Sequence, residues 1–352
     1  MSNFRLWINQ NMGVLLSICI FALVYGLYSY LHPSGGTGKI FIQNSNETFV
    51  LIMVAMAQTV PVLTGGLDLS VGAVMTMSNA LASVVVNGTP TEIFFGMFLC
   101  IAVSAFAGFM NGCIIVYGRL QPIIVTLATG AVYIGIALFL RPTPGGKVDG
   151  DLSFAATFDL NEIFLTYGWA IPEWFESSIG LIPTPIAILV LIVVVIWLPF
   201  RSSVTGRGCY AVGSAEGAAY MSGLNVGRSR IAAYTLAGLF AGIGGLYLAL
   251  QTGSGNADVP QAGAYTLNSI AAVVIGGSSL YGGAGGVIGS IFGAMALRSI
   301  SFNFRVFDAD GPFGFISDPL LQPLFEGTIL LIAVSVGAAR VFKVKNRLNL
   351  FG

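Results

Sequence analysis

The stretch Gly65-Gly66-Leu67-Asp68-Leu69-Ser70-Val71-Gly72 separates two apolar runs, residues 49–63 and 73–86. A helix that has crossed hydrocarbon is stopped by two glycines and restarted beside an aspartate, at a depth where unpaired backbone polar groups are costly. Broken backbone of this kind persists in a membrane only where protein buries it or a watery cavity reaches it. Transporters place binding or gating elements at such breaks.

Composition agrees with a membrane setting. The chain is 55% hydrophobic and 9% charged, against about a quarter charged in a soluble domain, and its mean hydropathy is +0.86. Lys plus Arg number 15, as do Asp plus Glu, so net charge suggests no nucleic acid or other polyanionic partner. Cys19, Cys100 and Cys113 sit in apolar runs and Cys209 in a basic loop. Without a CxxC pair they read as buried small hydrophobes. His32 is the single histidine, which removes imidazole metal clusters and Ser-His or Cys-His catalysis. Gly38-Lys39 and Gly146-Lys147 imitate a phosphate-binding loop. Pro33 and Ile40 around the first, and Arg141 and Val148 around the second, stand where Gly and Ser or Thr are required. The chain is therefore expected to carry no catalytic, metal or nucleotide site of its own.

Apolar runs recur at residues 14–31, 49–63, 73–86, 93–116, 123–140, 185–200, 231–250, 267–275, 287–297 and 324–341. The first follows Arg5 and resembles a signal sequence, yet it is long enough to span and no small-residue cleavage site follows, so it reads as an uncleaved first helix. A straight span needs about 20 residues, and several runs fall short. The expected fold is one all-α integral membrane domain over residues 1–352. It has about ten crossings, with about eight as the alternative, some of them broken or tilted.

Basic residues gather at Arg119, at Arg201, Arg207, Arg228 and Arg230, and at Arg340, Lys343, Lys345 and Arg347. The positive-inside rule puts these loops and both termini in the cytoplasm. Asp149, Asp151, Asp159, Glu162, Glu173 and Glu176 crowd residues 142–181, which then form a periplasmic acidic loop, with Trp169 and Trp174 suited to the membrane interface. Lys39, Arg141, Lys147, Arg298 and Arg305 are left singly outside, and Arg141 and Arg298, at helix ends, can snorkel.

A second glycine break, Gly276-Gly277-Ser278-Ser279-Leu280-Tyr281-Gly282-Gly283, comes late in the chain. It shares with the first a doubled glycine, a following leucine and a closing glycine, which raises the possibility of two repeated halves. Gly285, Gly289 and Gly293, and likewise Gly238 and Gly242, are spaced for close helix packing.

Asp68 is the only acid between residues 49 and 86. Two compatible readings stand: it caps the restarting helix at Ser70 and Val71 while Gly65-Gly66 caps the preceding one, or it lines a substrate path or gate, the default for an intramembrane acid. Gln58, Asn79 and Asn111 are amides in apolar surroundings. Singly they read as interhelical glue; together, with few charges, they suit a neutral polar substrate better than an ion. In the loop 201–230, Ser214 is expected to cap a short helix over residues 215–222, with Glu216 in its first turn and Gly223 at its end. Such a helix is a connector, or a plug for a partner's groove.

Several of these segments resemble the permease subunits of bacterial ABC importers of the ribose/galactose/xylose/arabinose class, over nearly the whole chain. Thr64-Gly65-Gly66-Leu67-Asp68-Leu69-Ser70-Val71-Gly72 is similar to the family's T-x-G-[IL]-D-L-S-V-G signature. Gly118-Arg119-Leu120-Gln121-Pro122-Ile123-Ile124-Val125-Thr126-Leu127 resembles its loop and following helix. Gly206-Arg207, Ala211-Val212-Gly213, Ala219 and Ser222-Gly223-Leu224-Asn225-Val226 resemble its cytoplasmic coupling segment, and residues 270–283 its late glycine block. Together with the amides above, the resemblance makes Gly65, Gly66, Asp68, Ser70, Gln58, Asn79, Asn111, Asn268, Gly276 and Gly277 the expected substrate path or gate. It implies ATPase coupling through Arg207, Glu216, Ala219, Ser222 and Gly223. Asn268 stands where family members often carry aspartate, which bears on selectivity.

The implied partners are a periplasmic sugar-binding protein, a second permease copy (identical or paralogous), membrane lipid, and an ABC ATPase that supplies the ATP and Mg site. A nucleoside or autoinducer permease is the nearest alternative. An ion-coupled secondary transporter would show paired charges within its spans, and a membrane enzyme would show a catalytic cluster.

Overall fold

The computed structural model describes residues 3–169, 172–176 and 179–306, with single residues 321, 324, 327, 328 and 331. Its elements are helical: α1 (Asn3–Leu31), α2 (Gly38–Leu63), α3 (Val71–Val85), α4 (Pro90–Gly118), α5 (Pro122–Leu140), α6 (Gly150–Thr157), α7 (Leu160–Thr166), α8 (Glu173–Glu176), α9 (Thr184–Ile192), α10 (Leu198–Ser202), α11 (Val204–Ser214), α12 (Glu216–Met221), α13 (Val226–Thr252), α14 (Val259–Ile275) and α15 (Val287–Val306). Among the described residues, extended pairing is confined to isolated bridges between Gly145 and Gly255 and between Asp159 and Pro183.

Seven helices among the described residues are long and apolar enough to cross a membrane. They are Asn11–Leu31 of α1, then α2, α4, α5, α13 and α15, and the continuous Thr184–Ser202 built from α9, a π-helical turn at Val193–Trp197 and α10. The apolar α3 and α14 are shorter, at 15 and 17 residues. These elements absorb all the predicted runs but the last. Most of 324–341 lies outside the described residues, as do Arg340, Lys343, Lys345 and Arg347, so the description covers seven long helices and two short ones of the expected crossings.

The core is built around α2, which is buried over residues 49–63 and is packed by α13, α14 and α15. It begins well before the apolar run that announced it. Its polar first turns are pinned by tertiary hydrogen bonds, in which Asn46 donates to the Thr157 carbonyl at 2.7 Å and accepts from Tyr247, while Thr48 satisfies itself within the helix on the Asn44 carbonyl at 2.6 Å. Buried polar side chains of this kind join helices where lipid supplies no hydrophobic contrast.

Small residues set the remaining distances. A Cβ on Gly108 of α4 would strike the Tyr234 carbonyl of α13, and one on Gly238 the Ser104 carbonyl of α4, so the two backbones meet face to face. Gly289 and Gly293 bring α15 onto the end of α14 in the same way, whereas Gly285, at φ +113°, belongs to a turn.

The acidic segment is ordered by its own carboxylates. Asp149 accepts from the Leu152 N–H at 2.8 Å to cap α6, and Asp159 accepts from the Glu162 N–H at 2.8 Å to cap α7, placing negative charge at positive helix ends. Two bases expected to snorkel instead find partners. Arg141 donates to the Ser83 hydroxyl and carbonyl, both at 3.0 Å, and Arg298 reaches Glu47 at 3.1 Å.

Candidate functional site

Helix α2 stops in a Schellman motif. The N–H of Gly65, at φ +79°, donates to the Val62 carbonyl at 2.9 Å, and the Gly66 N–H donates to Pro61 at 3.1 Å. A positive φ at the first residue beyond the cap is the reason for a glycine there. A Cβ on Gly66 would meet the Tyr234 hydroxyl and Pro122 of α5, so the chain passes between α5 and α13 with no space to spare.

The loop after it is held by side chains. Asp68 is 2% exposed. Its carboxylate accepts from the Ser70 N–H at 2.8 Å and the Ser70 hydroxyl at 2.6 Å. With its amide turned to satisfy both groups, Gln58 donates to the Asp68 carbonyl at 2.7 Å and accepts from its N–H at 3.3 Å. Asn111 of α4 donates to Ser70 Oγ at 2.9 Å, and Tyr133 of α5 donates to Asn111 Oδ1 at 3.0 Å. Thr126 of α5 accepts from the Leu69 N–H at 3.0 Å. The break, α2, α4 and α5 thus meet around one buried carboxylate, with its partners supplied from within the protein, which is the condition for polar backbone at membrane depth.

Helix α14 ends by the same geometry. Gly277, at φ +81°, donates to the Val274 carbonyl at 3.0 Å, and Ser278 donates to Val273 at 3.1 Å. The counterpart of Gly65 is therefore Gly277, and the matching of Gly65-Gly66 with Gly276-Gly277 is displaced by one residue. Gly276 instead packs on α15 at Gly289, and Gly277 against Gly13 of α1.

The two breaks touch. The Gly283 N–H donates to the Leu63 carbonyl at 3.0 Å, so the second break satisfies a carbonyl at the end of the first helix. Gly213, near the end of α11, fills the remaining space: a Cβ there would strike Leu63 O, Gly283 N and Gly282 Cα, all backbone. Tyr210 of α11 adds a hydrogen bond to the Gly285 carbonyl at 3.2 Å, and burial pushes its hydroxyl pKa up, keeping it a neutral donor. Through α11, the loop 201–230 is joined directly to both breaks.

From this joint α12 projects outward. Gly217, Ala218, Tyr220 and Met221 are exposed, while Ala219 is buried at 4%. This corrects two expectations. Ala219 faces inward, so it supports the short helix from behind rather than offering a contact surface. Ser214 does not cap the helix; it ends α11 and donates to the Tyr210 carbonyl at 2.9 Å, and α12 starts from Ala215 without a side-chain cap. Glu216 is in the first turn as expected, paired with Arg230 at 2.7 Å, and Gly223, at φ +80°, closes the helix. Arg207 folds back onto the Ser202 carbonyl at 2.6 Å, and Ser222 donates to Ala218 at 2.8 Å.

Of the predicted path residues, Gln58, Gly65, Gly66, Asp68, Ser70 and Asn111 come together. Asn79 does not: it accepts from the Asn256 N–H at 2.7 Å and pins the loop between α13 and α14. Asn268 is half-buried on α14, outside this network. Nor is Asp68 the N-cap in the strict sense, because Ser70 holds that position and the carboxylate, two residues ahead, accepts from Ser70 itself. Thr126, Tyr133 and Tyr234 complete the site. Their sequence signal was weak, because a Thr or Tyr in an apolar helix is ordinary until its partner is known.

A family model described as "Branched-chain amino acid transport system / permease component" matches residues 41–334. The chain belongs to this permease family. Among similar proteins, the "Ribose import permease protein RbsC" of Bacillus subtilis (strain 168) is 31% identical over 328 residues, covering 92% of each chain. The "Fructose import permease protein FrcC" of Rhizobium meliloti is 30% identical, over 92% of this permease and 82% of its own length. The "Autoinducer 2 import system permease protein LsrD" of Photorhabdus temperata is 29% identical, over 88% and 86%. No solved structure matches. The match spans both glycine breaks and the α11–α12 segment between them.

Proposed function

We propose that this permease is the membrane subunit of an ATP-driven ABC importer, resident in the bacterial inner membrane, that translocates a monosaccharide delivered by a periplasmic binding protein. Support for the substrate class comes from the names of the similar permeases, for ribose, fructose and allose, over most of the chain. Support for the mechanism comes chiefly from one observation, the junction of Gly213 with Leu63 and Gly283. In this reading the basic loops face the cytoplasm, and the exposed tip of α12 enters a groove on the ATPase, which holds ATP and Mg. When the ATPase closes, α11 carries the ends of α2 and α14 with it. Asp68 holds the gate's backbone together and does not touch sugar. Two permease copies enclose the path, and Asn268, half-buried on the short α14, stands closer to the solute. The energy of binding and hydrolysis acts as a population shift between inward-open and outward-open states.

The test uses the whole importer in proteoliposomes. Tyr220→Ala with Met221→Ala removes the exposed tip, and a lost interface anchor of this kind costs about 30-fold in affinity. The expected outcome is normal insertion, loss of ATPase on purification, and no uptake of labelled ribose, fructose or allose. Wild-type ATPase retention in the double variant would refute the docking assignment. Uptake of autoinducer-2 in place of all three sugars would refute the substrate class.

A further inference from the structure

Helices α1, α2, α9 and α15 enclose a cavity of about 220 Å³ that no part of the transport reading uses. Its walls are mostly apolar, with Phe21, Phe41, Phe49, Phe292, Met295 and Phe302 prominent. Phe302 is flanked by two guanidinium groups, Arg298 at 5.7 Å and Arg305 at 5.9 Å from the ring centre. Both bind the single carboxylate of Glu47, at 3.1 Å and 2.9 Å. Two positive charges against one negative leave this cluster with one net positive charge.

The lining hydroxyls of Ser45, Thr48 and Ser299 donate to carbonyls of their own helices. Tyr25 Oη and Asn44 Nδ2 belong to its lining and lean on each other, and neither has a further hydrogen-bond partner among the described residues; Arg298 Nε in the adjoining cluster has none there either. Asn44 is buried, at 6% exposed. Asn44 Nδ2 and Arg298 Nε can only donate, and the Tyr25 hydroxyl can donate as well as accept. A buried donor left unsatisfied is costly, and free donor capacity beside a net positive charge fits an anion rich in acceptor oxygens. The apolar walls fit a hydrocarbon chain. A sugar, with as many donors as acceptors, fits neither feature.

We infer that this groove holds an anionic phospholipid, one acyl chain among the phenylalanines and its phosphate and ester oxygens accepting from Arg298, Asn44 and Tyr25. Such a lipid would tie α1 and α9 to the α2–α15 pair at the end of the bundle that carries residues 142–181.

Native mass spectrometry of the permease, equilibrated with vesicles of equal phosphatidylglycerol and phosphatidylethanolamine, reads this directly. One uncompensated arginine near a membrane surface favours an anionic headgroup by about fivefold. Wild type should retain phosphatidylglycerol over phosphatidylethanolamine by that ratio. Arg305→Gln removes the net charge while Arg298 still pairs Glu47, so the bundle assembles and the ratio falls to about one. Ile186→Trp, which fills the groove, should lose the retained lipid of both kinds. Equal retention of both lipids by wild type, an unchanged preference in Arg305→Gln, or undiminished lipid in Ile186→Trp would each overturn the proposal.

Discussion

The two glycine breaks end their helices identically and continue differently. Behind Gly65 the chain is held by side chains, with Asp68, Gln58, Ser70, Asn111, Thr126 and Tyr133 contributing from α2, the break itself, α4 and α5. Behind Gly277 the loop is held mainly by backbone and hydroxyls. Ser279 N–H donates to the Ala284 carbonyl at 3.0 Å, Gly286 N–H donates to Ser278 Oγ at 3.1 Å, and Gly283 reaches across to Leu63. The first break is an anchored platform and the second a strap laid on it. A platform with a buried carboxylate at its centre tolerates little change, because each lost partner leaves another polar group stranded. A strap built from glycine tolerates motion but not bulk.

Substitutions at three positions sharpen that contrast. The largest effect is expected from Gly213→Leu, because the added atoms meet only backbone, which cannot rotate away. Overpacking of this kind costs about 3 kcal/mol. The permease should show a lower Tm in detergent and no uptake; a variant with wild-type Tm and uptake would mean that the strap and α11 are not in contact. Next comes Asp68→Ala, which strands the Ser70 N–H and hydroxyl at a cost of about 2 kcal/mol. Asp68→Asn keeps an acceptor and should recover most of the lost Tm. Equal losses in the two would mean that charge, not hydrogen bonding, matters at this position. The smallest effect is expected from Tyr133→Phe, which removes the outermost link, to Asn111 Oδ1 and the Ala107 carbonyl, and costs about 1 kcal/mol. A loss as large as that of Asp68→Ala would extend the platform's centre to α5.

The contrast also explains what could be read in the sequence. Gly-Gly followed by a lone acid is visible because glycine and charge are both out of place in hydrocarbon, and Gln58 and Asn111 stand out for the same reason. The true partner of Gly65 was obscured, since Gly276 and Gly277 differ only in φ, which composition does not carry. Asn79 resembled Asn111 in every sequence respect and serves a loop at the other end of its helix instead. The polar start of α2 was missed because its hydrogen-bond partners, Thr157 and Tyr247, lie far along the chain. Ala219 was placed in the coupling surface by resemblance alone; which face of a six-residue helix turns inward depends on the helices behind it.

The central claim is that α11 and the two breaks move as one body when the partner acts. Spin labels at Val204→Cys and Tyr281→Cys, both exposed positions, in a transporter lacking Cys19 and Cys113, measure it directly. The distance between them is expected to stay the same in the nucleotide-free and ATP-trapped importer, while the distance from Val204 to a third label at Tyr30→Cys changes. A Val204–Tyr281 distance that changes between those states would contradict the joint.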